Sequence, residues 1–351
     1  MAAVDLTSER ETRVPHFSRA VGARSRDFRD GAVEPALSTE SPASDKARRE
    51  RRRALIVPRE HGAWGLLLVP MVTGAGVAFR ESTNVFPFLL LLTAALVLFW
   101  LRTPLESVLG TSAVRAQTPE ERRDVTFVVI YLATVATLAL AMLLWSGHNP
   151  ALWLIGAVAG AAFVTQALLK LLCRQQLARF MWRRPPRPSR DGEAERPRSA
   201  SPSASLRMLS EIVGTIGLTA SAPAAYYVIT GKLGLTAWTL WVANLIFAGD
   251  QIHYVQLRLH TARVEGLRAK LARGWGFAIG QFLLTAVLTI ACMSGLIPKY
   301  ASIAFAPVLF RGWYYFVQRS TPLVVRRLGW NELGQAVAFC VLFIASFSFA
   351  K

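Results

Sequence analysis

The sequence predicts an all-α, polytopic transmembrane helix bundle of about nine spans, with its N-terminus cytoplasmic and its C-terminus outside. Two observations support this fold class: long apolar stretches recur from residue 64 onward, and 34 of the 40 Lys and Arg residues lie on alternate connections. A bilayer core about 30 Å thick needs about 20 helical residues to cross. The predicted spans are 64–79, 87–101, 125–145, 151–173, 208–230, 235–256, 275–297, 301–317 and 333–349.

The distribution of basic residues gives the orientation. The basic connections are residues 1–63, 102–124, 174–207, 257–274 and 318–332. The other face has only Arg80, Lys232, Lys299 and Lys351. Basic loops are retained in the cytoplasm, so the N-terminus is expected inside. The formal charge of +18 is therefore interpreted as a topology signal, and no nucleic acid is expected as a partner.

Two polar segments flank and interrupt the predicted transmembrane domain, residues 55–349. Residues 1–54 combine charges of both signs with few large apolar residues, which predicts a disordered cytoplasmic tail. The basic cluster at its end is expected to rest on anionic lipids. Residues 183–205 are rich in Pro, Arg and Ser and predict a disordered cytoplasmic loop.

Ionisable residues within or next to the spans share one side of the predicted bundle. Such groups are costly at membrane depth and usually face a cavity or a partner. All of them are expected in the cytoplasmic half, as a polar cavity open to the cytoplasm would require. The alternative is snorkelling of boundary side chains to the headgroups. These residues are Glu60, His61, Glu106, Lys170, Glu211, Asp250, His253, Arg311 and Glu332.

Asp250 and His253 are three residues apart in the sixth span, so they share one helical face, with Asn244 almost two turns deeper. The pair would suit two ligands of a metal, or a carboxylate orienting a proton-transferring histidine. The competing interpretation is a structural ion pair with Lys170 or Arg311.

Arg311 lies inside the eighth span and is followed by Tyr314 and Tyr315. A guanidinium there would grip a phosphate or carboxylate with two parallel hydrogen bonds. Alternatively, it neutralises Asp250 or Glu211.

Two pairs of glycines have the spacing that lets membrane helices approach closely. They are Gly156 with Gly160 and Gly276 with Gly280. Both pairs are interpreted as helix-packing positions.

The segment 58–64, Pro-Arg-Glu-His-Gly-Ala-Trp, is the densest motif in the chain, and an apolar run ending in Pro70 follows it. This motif, with Arg-Thr-Pro-Leu at 102–105, resembles the YwiC-like family of bacterial integral membrane proteins. The resemblance covers residues 57–349 and leaves out the N-terminal tail and the segment 183–205. It implies a multi-pass protein of the bacterial inner membrane and no established activity.

The architecture is also distantly similar to UbiA-type intramembrane prenyltransferases, helical bundles of about nine spans with a cytoplasm-facing cavity. That family holds magnesium and a prenyl diphosphate with two Asp-rich motifs. This chain has Glu106 at the first position and Asp250 at the second. The resemblance implies Mg²⁺ as a cofactor only if prenyl diphosphate chemistry applies.

Three functions remain open from the sequence. The first is a UbiA-like enzyme acting on a lipid-like substrate, and the second is a transporter of a small anion or a proton-coupled solute. The third is a non-catalytic component of a membrane assembly. For the enzyme, Asp250, His253 and Glu106 would be catalytic, while Arg59, Glu60, His61, Asn244 and Arg311 would bind a lipid-like or small anionic ligand.

Overall fold

The computed structural model describes residues 42–57, 61–110, 112, 114–147, 149–183, 202–262, 264–318 and 323–349. These residues form helices and connections, with no strand among them. The helices are α1 Pro42–Ile56, α2 His61–Ala78, α3 Phe86–Val108, α4 Pro119–Trp145, α5 Asn149–Arg183, α6 Pro202–Thr219, α7 Ser221–Thr230, α8 Leu235–His260, α9 Leu267–Met293, α10 Ala306–Val317 and α11 Val325–Ser348, with a 3₁₀ helix Ala301–Phe305 before α10.

The chain divides into two compact units, Met1–Lys46 and Ala47–Lys351. Of the first unit, the structure describes residues 42–46, which begin α1. All the contacts reported below lie within the second unit.

Six helical segments of the described chain are long and apolar enough to cross a membrane. They are Phe86–Val108, Pro119–Trp145, Ala151–Cys173, Met208–Thr230, Leu267–Met293 and Val325–Ser348. Trp64–Ala78 is a shorter apolar helix. The prediction of an all-helical chain that spans a membrane several times is confirmed. The other two predicted spans coincide with α8 and with the 3₁₀ helix and α10, so the count of nine stays a prediction, as does the orientation.

Several helices extend beyond the predicted spans because local sequence signals continue them. Thr118 begins α4 with a capping box: its hydroxyl accepts from the Glu121 amide at 3.1 Å, and the Glu121 carboxylate bonds back to the Thr118 amide. Helix α5 continues ten residues past Cys173, through helix-forming Gln, Leu, Ala and Arg. It ends at Arg183, just before Pro185 and Pro186.

The structure changes the predicted limits of both polar segments. Residues 42–54, expected in a disordered tail, form most of α1, because their arginines pair with acidic residues at the start of α4. Residues 1–41 lie outside the described residues. Of the predicted loop, Arg183 ends α5 and residues 202–205 begin α6, while 184–201 lie outside the described residues.

The core of the bundle is built around α2 and α7, which pack closely along their lengths. Met71 and Ala75 of α2 and Ala222 and Val228 of α7 are fully buried or nearly so. Helix α2 also contacts α11, α6 and α8. The short side chains at the contact allow the two backbones to approach, as is typical of membrane helices.

An aromatic cluster fills the space between α8, α11 and the 3₁₀ helix. Phe247 stacks on Phe339 with ring centroids 4.2 Å apart, and Phe305 meets Phe339 edge to face at 5.0 Å. Phe343 continues the stack on α11 at 5.3 Å from Phe339. This cluster fixes α8 against α11, the two helices that carry the carboxylates described below.

Hydrogen bonds of the Glu81 carboxylate join the turn after α2 to the end of α7. The Tyr226 hydroxyl donates to one oxygen of Glu81 at 2.6 Å, and the Lys232 ammonium donates to the other at 3.1 Å. The Tyr226 hydrogen bond and, to a smaller extent, Lys232 lower the pKa of the Glu81 carboxyl below its ordinary value of 4.5, although partial burial opposes the shift.

Glu81→Gln is expected to lower thermal stability at about pH 7 and to have a shrinking effect below about pH 4.5. A carboxyl whose folded pKa is lowered contributes stability above its unfolded pKa and loses it as pH falls through the folded pKa. The measurement is the melting temperature of both proteins from about pH 7 to about pH 3.5. A difference in melting temperature that stays constant across that range would show that the ionised Glu81 carboxylate does not stabilise the fold through these hydrogen bonds.

Candidate functional site

The site centres on Arg311 of α10, whose guanidinium lies between two carboxylates. Its Nη2 donates to Oδ2 of Asp250 on α8 at 3.0 Å, and its Nη1 donates to Oε2 of Glu332 on α11. The three side chains are only 10%, 7% and 12% exposed, respectively. We refer to Asp250, Arg311 and Glu332 as the ion triad.

Two glutamine side chains donate further hydrogen bonds to members of the ion triad. Gln281 of α9 is buried, and its amide donates to Oδ1 of Asp250. Gln251 of α8 donates to the backbone carbonyl of Glu332 at 2.9 Å. Four helices, α8 to α11, therefore meet at one polar point inside the bundle.

Gly312 and Tyr254 shape the surroundings of the guanidinium. A Cβ atom on Gly312 would lie 2.8 Å from the Gln281 amide, so a glycine at this position leaves room for that side chain. The guanidinium carbon of Arg311 lies 4.1 Å from the ring centroid of Tyr254, a cation–π contact. These neighbours hold the guanidinium in one plane between the carboxylates.

Several buried polar atoms around the ion triad make no hydrogen bond within the described part of the chain. They are Oε1 of Glu332, Oε1 of Gln281, Oε1 of Gln335 and Nε of Arg311. Buried polar atoms usually find a partner, so such a group needs an explanation such as water, a proton or a ligand. Three of the four atoms are acceptors, which favours a donor as the missing partner.

Two further cations, Lys270 and Arg258, lie near the C-terminal end of α10. Lys270 of α9 is buried, and its ammonium donates to the backbone carbonyls of Gln318 at 2.5 Å and Tyr315 at 3.4 Å. The Tyr315 ring lies under both Lys270 and the Arg258 guanidinium, 5.1 and 5.5 Å from its centroid. A lysine at a helix C-terminus satisfies carbonyls that have no partner within the helix.

Asp250 and His253 share a helix, as predicted, but have different neighbours. The His253 ring packs edge-on against Phe277 with centroids 5.2 Å apart. No hydrogen bond joins Asp250 to His253 among the described residues, whereas Arg311 and Gln281 occupy both oxygens of Asp250. Of the two interpretations of Asp250, the ion pair with Arg311 is therefore the one present in the structure.

Glu106 belongs to a different ionic group from the ion triad. Glu106 lies on α3. The Nε atom of Arg102, also on α3, and the Nζ atom of Lys170 on α5 each lie 3.1 Å from Oε1 of Glu106. Lys170 thus joins α5 to α3 near their predicted cytoplasmic ends. The structure does not join Glu106 to Asp250, so the two positions expected from the UbiA resemblance have separate partners.

The remaining predicted residues lie elsewhere. Asn244 is buried and donates to the Leu240 carbonyl at 2.8 Å, while its buried Oδ1 atom has no hydrogen-bond partner among the described residues. Its position is seven residues before Gln251 on α8, about 10 Å along the helix. His61 begins α2, and its side chain is not among the described groups; Arg59 and Glu60 lie outside the described residues.

Sequence reasoning missed the role of Gln281 and underestimated Glu332. Gln281 is a polar residue within an otherwise apolar stretch of α9, which is the signal that points to it. For Glu332, snorkelling to the headgroups was the alternative to facing a polar cavity, and its side chain is 12% exposed and bound to Arg311. The described residues contain no group of three His, Cys, Asp or Glu side chains arranged to hold a metal.

Comparisons with known proteins give one family match. Residues 57–177, about a third of the 351-residue chain, match the family model described as YwiC-like protein. No curated protein and no solved structure matches the chain. The ion triad lies beyond the matched segment. The apolar helices and this match support a multi-pass membrane protein whose residues 57–177 are similar to the YwiC-like family.

Proposed function

We propose that this protein is a proton-coupled membrane transporter in which the ion triad binds and releases the coupling proton. The observation that carries the proposal is a single guanidinium held between two buried carboxylates on separate helices. Ionisable residues inside membrane bundles commonly mark ion or substrate pathways and proton relays.

The charges of the triad favour proton binding. Arginine keeps its charge in proteins, so the triad carries a net charge of −1 when both carboxylates are ionised. A proton on one carboxylate cancels that charge, which lowers the cost of burial in a medium of low dielectric constant. Arg258 is a further cation on α8, but its guanidinium packs over the Tyr315 ring and forms no ion pair with either carboxylate among the described residues.

Glu332 is the more suitable carboxylate for the proton. Both oxygens of Asp250 already accept hydrogen bonds, from Arg311 and Gln281. Glu332 bonds Arg311 through Oε2, while its Oε1 atom is buried and has no partner among the described groups. A proton on Oε1 leaves the bond to Arg311 in place.

Of the helices that the triad joins, α10 is preceded by a break in regular helix, a common feature of transporters. Helix α10 has only 12 residues, follows a 3₁₀ helix and has Pro307 in its first turn. The fifth predicted span is divided at Ala220 into α6 and α7, and Pro70 interrupts α2. Protonation would weaken one of the two ion pairs that hold α10 and so permit its movement.

The proposal places the protein in a bacterial inner membrane with a cytoplasmic N-terminus. The excess of Lys and Arg on alternate connections supports this orientation. It would place the ion triad in the cytoplasmic half of the bundle, within reach of protons from that side.

The geometry supports the prenyltransferase hypothesis less well. Arg311 donates to two carboxylates of its own chain, so it would have to leave them to hold a diphosphate. Glu106 pairs with Arg102 and Lys170 rather than contributing to a common site with Asp250. Both arrangements favour a charge relay over a magnesium diphosphate site.

The test has two arms on the purified full chain. Infrared spectra recorded across a pH titration should show the carbonyl stretch of a protonated carboxyl group, which Glu332→Gln removes. In proteoliposomes with a trapped pH dye, solutes are added singly from a panel of small organic and inorganic anions and amino acids. At least one solute should move protons, and Asp250→Asn and Glu332→Gln should each abolish that movement.

Glu265→Gln is the matched control, because Glu265 is an exposed carboxylate in the connection between α8 and α9. It should leave both the infrared band and the proton movement unchanged. A triad that stays ionised across the titration, together with solute-driven proton movement unaffected by Glu332→Gln, would refute the proposal. If the ion triad only joins helices, no solute in the panel should move protons, and that result would also count against the proposal.

A further inference from the structure

Helix α1 is fastened to the start of α4 by a row of ion pairs. Arg48 contacts Glu120 at 2.7 Å, Arg51 contacts Glu121 at 2.7 Å, and Arg52 contacts Asp124 at 3.3 Å. The three arginines lie on one side of α1, and their acidic partners lie in the first two turns of α4. Three separate pairs, one of them to the nearly buried Glu121, fix the orientation of the helix.

The other end of α1 is fastened to α3. The indole N–H of Trp100 donates to the Ile56 carbonyl at 2.9 Å, and the Ser107 hydroxyl donates to the Leu55 carbonyl at 3.3 Å. Leu55 itself is 1% exposed. Helix α1 therefore lies across the ends of α3 and α4 as part of the folded bundle.

This arrangement leaves four arginines exposed on the two joined segments, two on α1 and two on α4. Arg49 and Arg53 are four residues apart on α1, so they share a face, and Arg122 and Arg123 follow Glu121 on α4. All four side chains are exposed. Because the acidic residues of α4 pair with neighbouring arginines, the four exposed arginines outnumber Glu50, the exposed acidic residue beside Arg49.

Large apolar side chains are exposed on α4 and just after α3, the two helices that contact α1. Leu109 follows α3 and is 67% exposed, while Phe127 and Ile130 of α4 are 71% and 59% exposed. Both helices are candidate membrane spans, so these side chains lie against lipid. The exposed arginines therefore border the edge of the apolar surface, where phospholipid headgroups lie.

We propose that α1 is an interfacial helix and that Arg49, Arg53, Arg122 and Arg123 bind the phosphate groups of anionic phospholipids. A guanidinium makes two parallel hydrogen bonds to a phosphate, and an anionic lipid supplies the phosphate at the depth of this surface. The surface shares no residue with the ion triad, so the proposal is independent of transport.

The experiment uses the full chain purified in a neutral detergent and titrated with phosphatidylglycerol or phosphatidylcholine in mixed micelles. Lipid binding is measured by native mass spectrometry and by the shift in melting temperature. We expect phosphatidylglycerol to bind about tenfold more tightly than phosphatidylcholine. The variant with Arg→Gln at positions 49, 53, 122 and 123 should lose that preference.

A control variant with Arg→Gln at 268, 273, 326 and 327 removes the same charge from four exposed arginines at other helix ends. It should keep at least half of the preference. Equal losses in the two variants would show diffuse electrostatic attraction and overturn the proposal. Competition by inorganic phosphate at the concentration of the lipid would overturn it too, because the surface would then bind free anions.

If the fourfold variant does not fold, the two helices are tested separately, with Arg→Gln at 49 and 53 or at 122 and 123. Each pair should weaken phosphatidylglycerol binding by about threefold, since each provides half of the charge. An unchanged affinity in both pair variants would refute the assignment.

Discussion

Gly74→Ala is expected to prevent α2 from packing against α7 and to destabilise the protein by about 3 kcal/mol or more. A Cβ atom on Gly74 would lie 2.1 Å from the backbone oxygen of Ala222 and 2.9 Å from its carbonyl carbon. Backbone atoms inside two packed helices cannot move aside as a flexible side chain can, so the helices must separate. Separation would expose the core at Met71 and Val228.

The measurement is the yield and melting temperature of Gly74→Ala in detergent, compared with Gly65→Ala. Gly65 lies on the same helix, and a Cβ there would meet nothing within 4 Å in the described part of the chain. The control removes the same backbone freedom in the helix, so it should be neutral or slightly stabilising. A Gly74→Ala protein as stable as the control would show that α2 and α7 do not approach as the structure indicates.

The glycines illustrate what the sequence predicts about packing and what it does not. The small-residue spacing pointed to Gly156, Gly160, Gly276 and Gly280, yet added Cβ atoms at the first three would meet no described residue within 4 Å. At Gly280 the nearest atom is Nδ1 of His253 at 3.9 Å, an ordinary contact. The prediction of packing positions therefore fails at Gly156, Gly160 and Gly276, while Gly280 lies in contact with α8. Spacing identifies a smooth face of a helix but not the neighbour that covers it.

The apolar pattern predicted helix positions well because membrane burial sets a simple length rule. It could not locate helix ends that depend on polar signals, such as the capping box at Thr118 or the extension of α5 to Arg183. It also missed α1, whose residues look disordered in isolation. That helix depends on ion pairs with α4, which are separated from it by about 70 residues.

The candidate site was predictable only in part, for a related reason. Asp250 and Arg311 stand out as charged residues within apolar helices, and their pairing was one of the stated alternatives. The third member, Glu332, and the glutamine that binds Asp250 come from α11 and α9, so their proximity depends on how helices pack. Sequence spacing reveals neighbours within a helix but not those between helices.

Arg311→Met is expected to destabilise the protein by about 3–5 kcal/mol, because it leaves Asp250 and Glu332 buried without their cation. The triple variant Asp250→Asn, Arg311→Met, Glu332→Gln should recover most of that loss, since replacing a buried ionic group by neutral residues of similar size is often tolerated. Both are measured by thermal unfolding in detergent, with Arg273→Met as the control at an exposed position on α9.

The two variants separate the structural contribution of the ion triad from its proposed role. If the triad only joins helices, the triple variant should keep every activity that the folded protein has. If the triad carries the proton, the triple variant should again recover most of the lost stability, yet should lack both the protonated carboxyl band and solute-driven proton movement. Arg311→Met as stable as Arg273→Met would contradict both interpretations, since two unpaired buried carboxylates cannot be neutral in energy without a proton or another cation.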